Sequence, residues 1–270
     1  MRLAGQGTRA MLQVLPKDSA MPAIATPARR YPCENCPLQE LGSFRQFGPD
    51  ELRFVSGFKT GELVAEAGTT LFAEGSHNSH LYTVLSGWGF RYKTLEDGQR
   101  QILNFVLAGD LIGLQGSLMG EMQHAIEALS DMLLCVFERT RLYELYEASP
   151  SLAFDVTWLA SKEERILDEH LLNVGQRSAE ARAAYLLLFI FSRAKARRLT
   201  RGRSLTLPLT QQHLADTLGL SLVHTNRVLN RLTRRGIISW QNRTLQIADY
   251  ERLAKIAGAE PQPSAERPYI

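Results

Sequence analysis

Leu209-Thr210-Gln211-Gln212-His213-Leu214-Ala215-Asp216-Thr217-Leu218-Gly219-Leu220-Ser221-Leu222-Val223-His224-Thr225-Asn226-Arg227-Val228-Leu229-Asn230-Arg231-Leu232 spells two short helices broken at a glycine. Thr210 and Ser221 carry side-chain oxygens where helix N-caps belong, Gly219 suits the left-handed turn between the helices, and Gly236 stands where the second must stop. On a helical wheel, Thr225, Val228, Leu229 and Leu232 share one face, while Val223, Arg227, Asn230, Arg231 and Arg234 lie opposite, with His224 and Asn226 on the flanks. The first face is fit to pack. The second carries arginines that a plain αα-hairpin would not need, so the pair reads as a helix-turn-helix turned toward a polyanion. The predicted partner is double-stranded DNA, met by Ser221, Val223, His224, Asn226, Arg227, Arg231, Arg234 and, from the next segment, Arg243.

That next segment, Ile237-Ile238-Ser239-Trp240-Gln241-Asn242-Arg243-Thr244-Leu245-Gln246-Ile247, alternates apolar and polar residues around Asn242-Arg243, as a hairpin would. It makes the motif a winged helix. Upstream, Arg193, Lys195, Arg197, Arg198, Arg201 and Arg203 form a basic run, so the small net charge of +3 is gathered in the C-terminal part. A length of 270 residues with 44% hydrophobic content suits two globular domains. No run approaches the roughly 20 apolar residues that cross a bilayer, and the N-terminal apolar stretches are broken by Gln13, Pro16, Lys17 and Asp18, against a secretory signal. No membrane contact is expected, and the chain is placed in the cytoplasm. Residues 1–30, rich in Ala, Pro, Gly and Arg without a period, are expected to form a disordered tail, with Met11 or Met21 as alternative starts.

Between Phe54 and Phe137 the texture changes to short apolar runs punctuated by glycine. Leu71-Phe72, His80 to Leu85, Gly89 to Lys93, Gln101 to Val106 and Met132 to Phe137 are each bounded by turn residues, which predicts a β-barrel or jelly roll. Pro150 then opens a helix through Val174, in which Leu152, Val156, Leu159 and Ile166 recur at coiled-coil-like spacing and are expected to form a dimer seam. Glu163 and His170 fall in the same stripe, which also suits a helix packed once against its own domain. The predicted class is therefore α+β. Its expected parts are a sensor β-roll at residues 31–148, a dimerisation helix at 149–174, a winged helix-turn-helix at 175–252 and a tail at 253–270.

A β-roll, a long helix and a winged helix in this order resemble the Crp/Fnr family of bacterial transcription regulators over roughly residues 31–250. Leu81-Tyr82-Thr83-Val84-Leu85-Ser86-Gly87, Asp97-Gly98 and Leu107-Ala108-Gly109-Asp110-Leu111-Ile112-Gly113 are similar to the family's sensor roll, and Arg177-Ser178-Ala179-Glu180-Ala181-Arg182 to the start of its DNA-binding domain. The resemblance implies a homodimer that sets two recognition helices into successive major grooves of a palindromic operator, with RNA polymerase as a further partner. It also implies that Arg227 reads a base, whereas Val223 stands where familiar relatives use a glutamate. Valine accepts no hydrogen bond from cytosine but packs on a thymine methyl, so a different operator is expected. No enzymatic activity is expected, since no nucleophile and base share a motif and no glycine loop is built to cradle phosphate.

The cyclic-nucleotide branch of the family holds its ligand through a glutamate and an Arg-Ser pair, and here Leu114, His124 and Ala125 stand at those places. A buried cyclic phosphate would lack its charge partners, so cyclic AMP is not expected. All the cysteines of the chain, Cys33, Cys36 and Cys135, fall where the oxygen-sensing branch has cluster ligands. That implies an iron–sulfur cluster or another metal, and a response to oxygen or redox. The branch's fourth cysteine corresponds to Gly42, so a cluster would need to borrow a ligand, with Glu34, Glu40, His77 and His80 as candidates. A metal-free thiol switch, haem at His77, another ligand and a constitutive regulator stay open as alternatives.

Overall fold

The computed structural model describes residues 31–258 and 267–270; the expectation for residues 1–30 lies outside them. A 3-10 turn at Cys33–Asn35 and helix α1 (Pro49–Phe58) lead into the strands. These are β1 (Lys59–Ala65), β2 (Thr70–Phe72), β3 (His80–Ser86), β4 (Gly89–Thr94), β5 (Arg100–Val106), β6 (Leu111–Ile112), β7 (Ala125–Ala128) and β8 (Met132–Glu138), with helix α2 (Leu114–Met119) between β6 and β7. They form two antiparallel four-stranded sheets in the orders β1-β8-β3-β6 and β2-β7-β4-β5. The sheets close face to face over Tyr82, Val84, Met122, Ile126, Met132 and Leu134, the jelly roll that the spacing of turns predicted.

Helices α3 (Leu142–Ala148) and α4 (Pro150–Gln176) follow. Ser149 caps α4 by accepting from Leu152 N, and Pro150 sits at the first turn, where a missing N–H costs nothing. Along its inner face Leu152, Val156, Leu159 and Ile166 are only 0, 1, 4 and 6% exposed in the single chain. In the single chain these four side chains are thus covered by the subunit itself, Leu152 and Val156 within its core and Leu159 on a cavity wall. The polar members of the stripe point the same way. Glu163 accepts from Arg91 of β4 at 2.6 Å, and His170 Nδ1 donates to the Leu103 carbonyl at 2.8 Å. The face left outward carries Phe154, Leu171 and Leu172, all exposed.

The C-terminal domain comprises α5 (Ala179–Ala196), β9 (Thr200–Arg201), β10 (Ser204–Thr206), α6 (Gln211–Leu218), α7 (Leu222–Arg234), β11 (Ile238–Gln241), β12 (Thr244–Ile247) and α8 (Tyr250–Ala257), its strands ordered β11-β12-β10-β9. Residues 253–257 thus belong to a helix that buries Leu253 and Ala257, rather than to a tail. The core of this domain is continuous with Phe90, Ile102, Phe105 and Leu107 of the roll. Polar contacts reinforce the docking, with Arg100 on Asp216 at 2.7 Å and Gln101 Nε2 donating to the Thr217 carbonyl at 3.1 Å.

Residues 267–270 lie back on the roll. Arg45 N donates to the Arg267 carbonyl at 2.9 Å and Arg267 N to the Ser43 carbonyl at 3.1 Å, a short parallel pairing. Beside it lies Asp110, which accepts from Arg193 of α5, from Arg197 at the C-cap of that helix and from Arg267. Burial alone would raise the Asp110 carboxyl, but the three guanidinium groups outweigh it and hold the carboxyl well below the usual range. Gly109 beside it has a φ of +81°, and a Cβ there would come within 2.1 Å of the Phe44 ring, so only glycine fits. Two members of the expected basic run, Arg193 and Arg197, are therefore structural here and do not face a nucleic acid.

Candidate functional site

Each sequence mark of the helix-turn-helix has its atomic counterpart. The Thr210 side chain accepts from His213 N, Gly219 adopts a φ of +62°, and Ser221 Oγ accepts from His224 N at 3.2 Å. Thr225, Val228, Leu229 and Leu232 are buried, whereas Val223 is 66% exposed and Arg227, Asn230, Arg231 and Arg234 are exposed beside it. Arg227, Asn230, Thr233 and Arg234 line a shallow hollow on the outer side of α7. His224 is exposed and Asn226 half-buried. Glu180 on α5 engages Arg235 and lies 3.5 Å from Arg231, whereas Arg227 and Arg234 have no ion pair among the described residues. The wing is a hairpin whose two turn residues, Asn242 and Arg243, have φ of +49° and +60°, which sets Arg243 at its tip. All eight predicted DNA-facing residues therefore lie on one connected structure, though Ser221 works as a cap and Asn226 is partly covered.

The cysteines converge. Cys33 from the 3-10 turn, Cys36 just after it and Cys135 from β8 line one cavity with Lys59, Tyr269 and Ile270 among its other walls. Burial pushes the Cys135 thiol up to about 12 and raises Cys36 as well, so both are protonated thiols near neutral pH. The cavity measures about 20 Å³, close to the room one water needs. Neither Glu34, Glu40, His77 nor His80 lines it, and among the described residues no group of three or more His, Cys, Asp or Glu is spaced to hold a metal ion. An iron–sulfur cluster does not fit these residues as they are folded: the space beside the thiols is about 20 Å³ with Tyr269 and Ile270 among its walls, and Gly42, where the resembling branch has its fourth cysteine, offers no ligand. His77 is exposed in its turn, with Nδ1 3.0 Å from the Gly120 carbonyl.

A larger cavity, about 360 Å³, opens between the roll and α4, the size of a small-molecule site. Leu114 and His124 line it, as do Arg91, Glu163, Glu164 and Asp168. Burial, with Arg91 and Lys93 nearby, lowers His124 to about 3, so it is a neutral imidazole. Sequence reasoning missed Arg91, Glu163 and the Asp110 cluster as partners, since each pair is brought together only by the fold.

Comparison with known proteins agrees with this geometry. The family described as "Cyclic nucleotide-binding domain" matches residues 62–149, and that described as "Crp-like helix-turn-helix domain" matches residues 181–256. The chain is 32% identical over 229 residues to the nitrogen fixation regulation protein FixK of Bradyrhizobium diazoefficiens, covering 84% of this chain and 90% of that one. It is 27% identical over 236 residues to the transcriptional activator protein FnrL of Cereibacter sphaeroides, covering 86% and 94%. Among solved structures, FixK2 from Bradyrhizobium japonicum superposes with a TM-score of 0.65 at 26% identity, over 74% of this chain and 98% of that one. Regulators with this helix-turn-helix bind DNA, act as dimers and are not enzymes. With its roll, long helix and winged helix-turn-helix in the same order, the chain belongs to the Crp/Fnr family of DNA-binding transcription regulators.

Proposed function

We propose that two copies of the chain pair along the outward face of α4 and set their α7 helices into successive major grooves of a palindromic operator, with the signal entering at Cys33, Cys36 and Cys135. The observation that carries this reading is the exposed cationic side of α7, on which Arg227 projects beside Val223 with no competing ion pair found among the described residues. Arg227 reads a guanine edge, Val223 packs on a thymine methyl, and Arg231, Arg234 and Arg243 meet phosphates. RNA polymerase is the expected further partner of the bound dimer. A cytoplasmic location goes with this role, and no described helix is long and apolar enough to cross a membrane.

The signal is thiol chemistry rather than cyclic AMP. Its support is the meeting of Cys33, Cys36 and Cys135 in one cavity. Against a cyclic nucleotide stand Leu114 and His124 where the resembling branch has its anchors, with the cavity's Arg91 already paired to Glu163 and its Arg267 to Asp110 while Glu164 and Asp168 add negative charge. Selection from random duplexes with the purified protein tests the reading. A palindromic motif should emerge, its binding should fall steeply with salt, and the thiol oxidant diamide should change its affinity. Enrichment of no sequence, or an unchanged diamide response after replacing all three cysteines by serine, overturns it.

A further inference from the structure

Between the three cysteines and the DNA-binding domain runs a short chain of contacts made by residues 267–270. Tyr269 and Ile270 are 2% and 5% exposed and form part of the cysteine cavity wall. The Tyr269 ring packs against Phe47 and Phe44, with centroids 4.5 and 5.6 Å apart. Two residues earlier, Arg267 lies with its guanidinium over Phe44 and donates to Asp110 Oδ1 at 2.8 Å and to the Gly109 carbonyl at 3.1 Å. Asp110 in turn holds Arg193 and Arg197, on and just past the first helix of the DNA-binding domain.

We propose that residues 267–270 are a strap that locks the DNA-binding domain to the sensor roll, and that the seated strap and any adduct on Cys36 or Cys135 exclude each other from the same cavity. The space left beside the thiols holds about one water and Tyr269 and Ile270 form part of its wall, so a group added on that side of either sulfur competes with them for room. Displacing them pulls on Arg267, which is only two residues away and is the third cation on Asp110. Arg193 and Arg197 then stay on Asp110, but the strap's third cation, which ties them to the roll's Phe44 and Gly109, is gone. Because coupling is reciprocal, whatever unseats Arg267 must also expose the thiols. This mechanism deepens the thiol reading above and rests on it for its trigger. It explains how chemistry at sulfurs beside the roll reaches α5 without either thiol approaching DNA.

The test uses the full-length, reduced protein and N-ethylmaleimide as the probe, with adducts on Cys36 and Cys135 timed by peptide mass spectrometry. Tyr269→Ala with Ile270→Ala should speed both reactions at least about tenfold, and Arg267→Ala, which leaves the cavity walls intact, should also speed them several-fold. Tyr269→Phe keeps the ring and should react as the parent protein does. In the reverse direction, wild-type protein alkylated to completion should lose hydrogen-exchange protection at the Arg45 and Arg267 amides, the two that pair strap and roll. Equal alkylation rates in parent and Arg267→Ala protein, or full amide protection after alkylation of the parent, would overturn the strap. If instead the exclusion holds while diamide leaves DNA affinity unchanged, the thiol-signal reading fails and the strap stands.

Discussion

Arg267 Nη1 donates to Asp110 Oδ1 at 2.8 Å across 157 positions of sequence, and the two groups are 8% and 7% exposed. With Arg193 and Arg197 on the same carboxylate, one anion inside the protein holds three cations from two distant parts of the chain. Removing the anion leaves the cations facing each other without compensation, which is the costly way to break a buried pair. Asp110→Asn should therefore lower unfolding free energy by about 3–5 kcal/mol. Urea denaturation followed by circular dichroism measures this directly, and a loss below about 1 kcal/mol would show that the arginines find other partners.

A second prediction concerns acid. Glu51 accepts from Arg45, from Ser151 and from Gly48 N, and the Arg45 hydrogen bond foremost lowers its carboxyl to about 2, against an ordinary value of 4.5. As pH falls from 4.5 the unfolded chain takes up this proton first, so stability drops through that window and the contribution is gone below about 2. The shift is worth at most about 3 kcal/mol. Asp155 shares Arg45 but is raised by burial, so it does not add to the acid slope. Glu51→Gln should be less stable than the parent at pH 7, and the gap should close as pH approaches 2 in denaturation curves.

On DNA, the two kinds of arginine should separate. Arg227→Ala should cost about 1–3 kcal/mol at the selected operator while leaving binding to unrelated duplexes nearly unchanged. Arg234→Ala should weaken binding to all sequences alike and reduce the salt slope by about 1. Fluorescence anisotropy over a salt series with both duplexes resolves these outcomes. A uniform loss from Arg227→Ala would place that side chain on the backbone instead of a base.

These assignments divide by the range over which the physics acts. The caps at Thr210 and Ser221, the turn at Gly219 and the wing at Asn242-Arg243 are set by neighbours within four residues, and all were legible in the sequence. The convergence of Cys33, Cys36 and Cys135 was legible through family resemblance alone, since β1 and β8 bring the segments together. Asp110 with Arg267 was not legible, because charge complementarity carries no period. The stripe on α4 held its own sign of inward packing. Glu163 and His170 among apolar residues suit partners on a fixed surface, Arg91 and the Leu103 carbonyl, better than a self-complementary seam.

That packing yields the last prediction. If Leu152, Val156, Leu159 and Ile166 serve the subunit's own interior, a dimer is expected on the outward side of α4, where Phe154 is 68% and Leu172 48% exposed with Leu171, 70% exposed, on its flank. Apolar residues so exposed on one helix face lose contact with water when a second copy covers them, contributing about 25 cal/mol for each Å² buried. A charge placed there must be desolvated on pairing, so Leu171→Glu with Leu172→Glu should convert the protein to monomers in sedimentation velocity while its thermal unfolding stays near that of an isolated subunit. Leu159→Ala should behave in the opposite way, losing about 2–5 kcal/mol of stability from the cavity it leaves yet sedimenting as the parent does at temperatures where it is folded. A Leu159→Ala protein that is stable but monomeric would return the seam to the inner face. It would also mean that α4 leaves the roll when two copies meet.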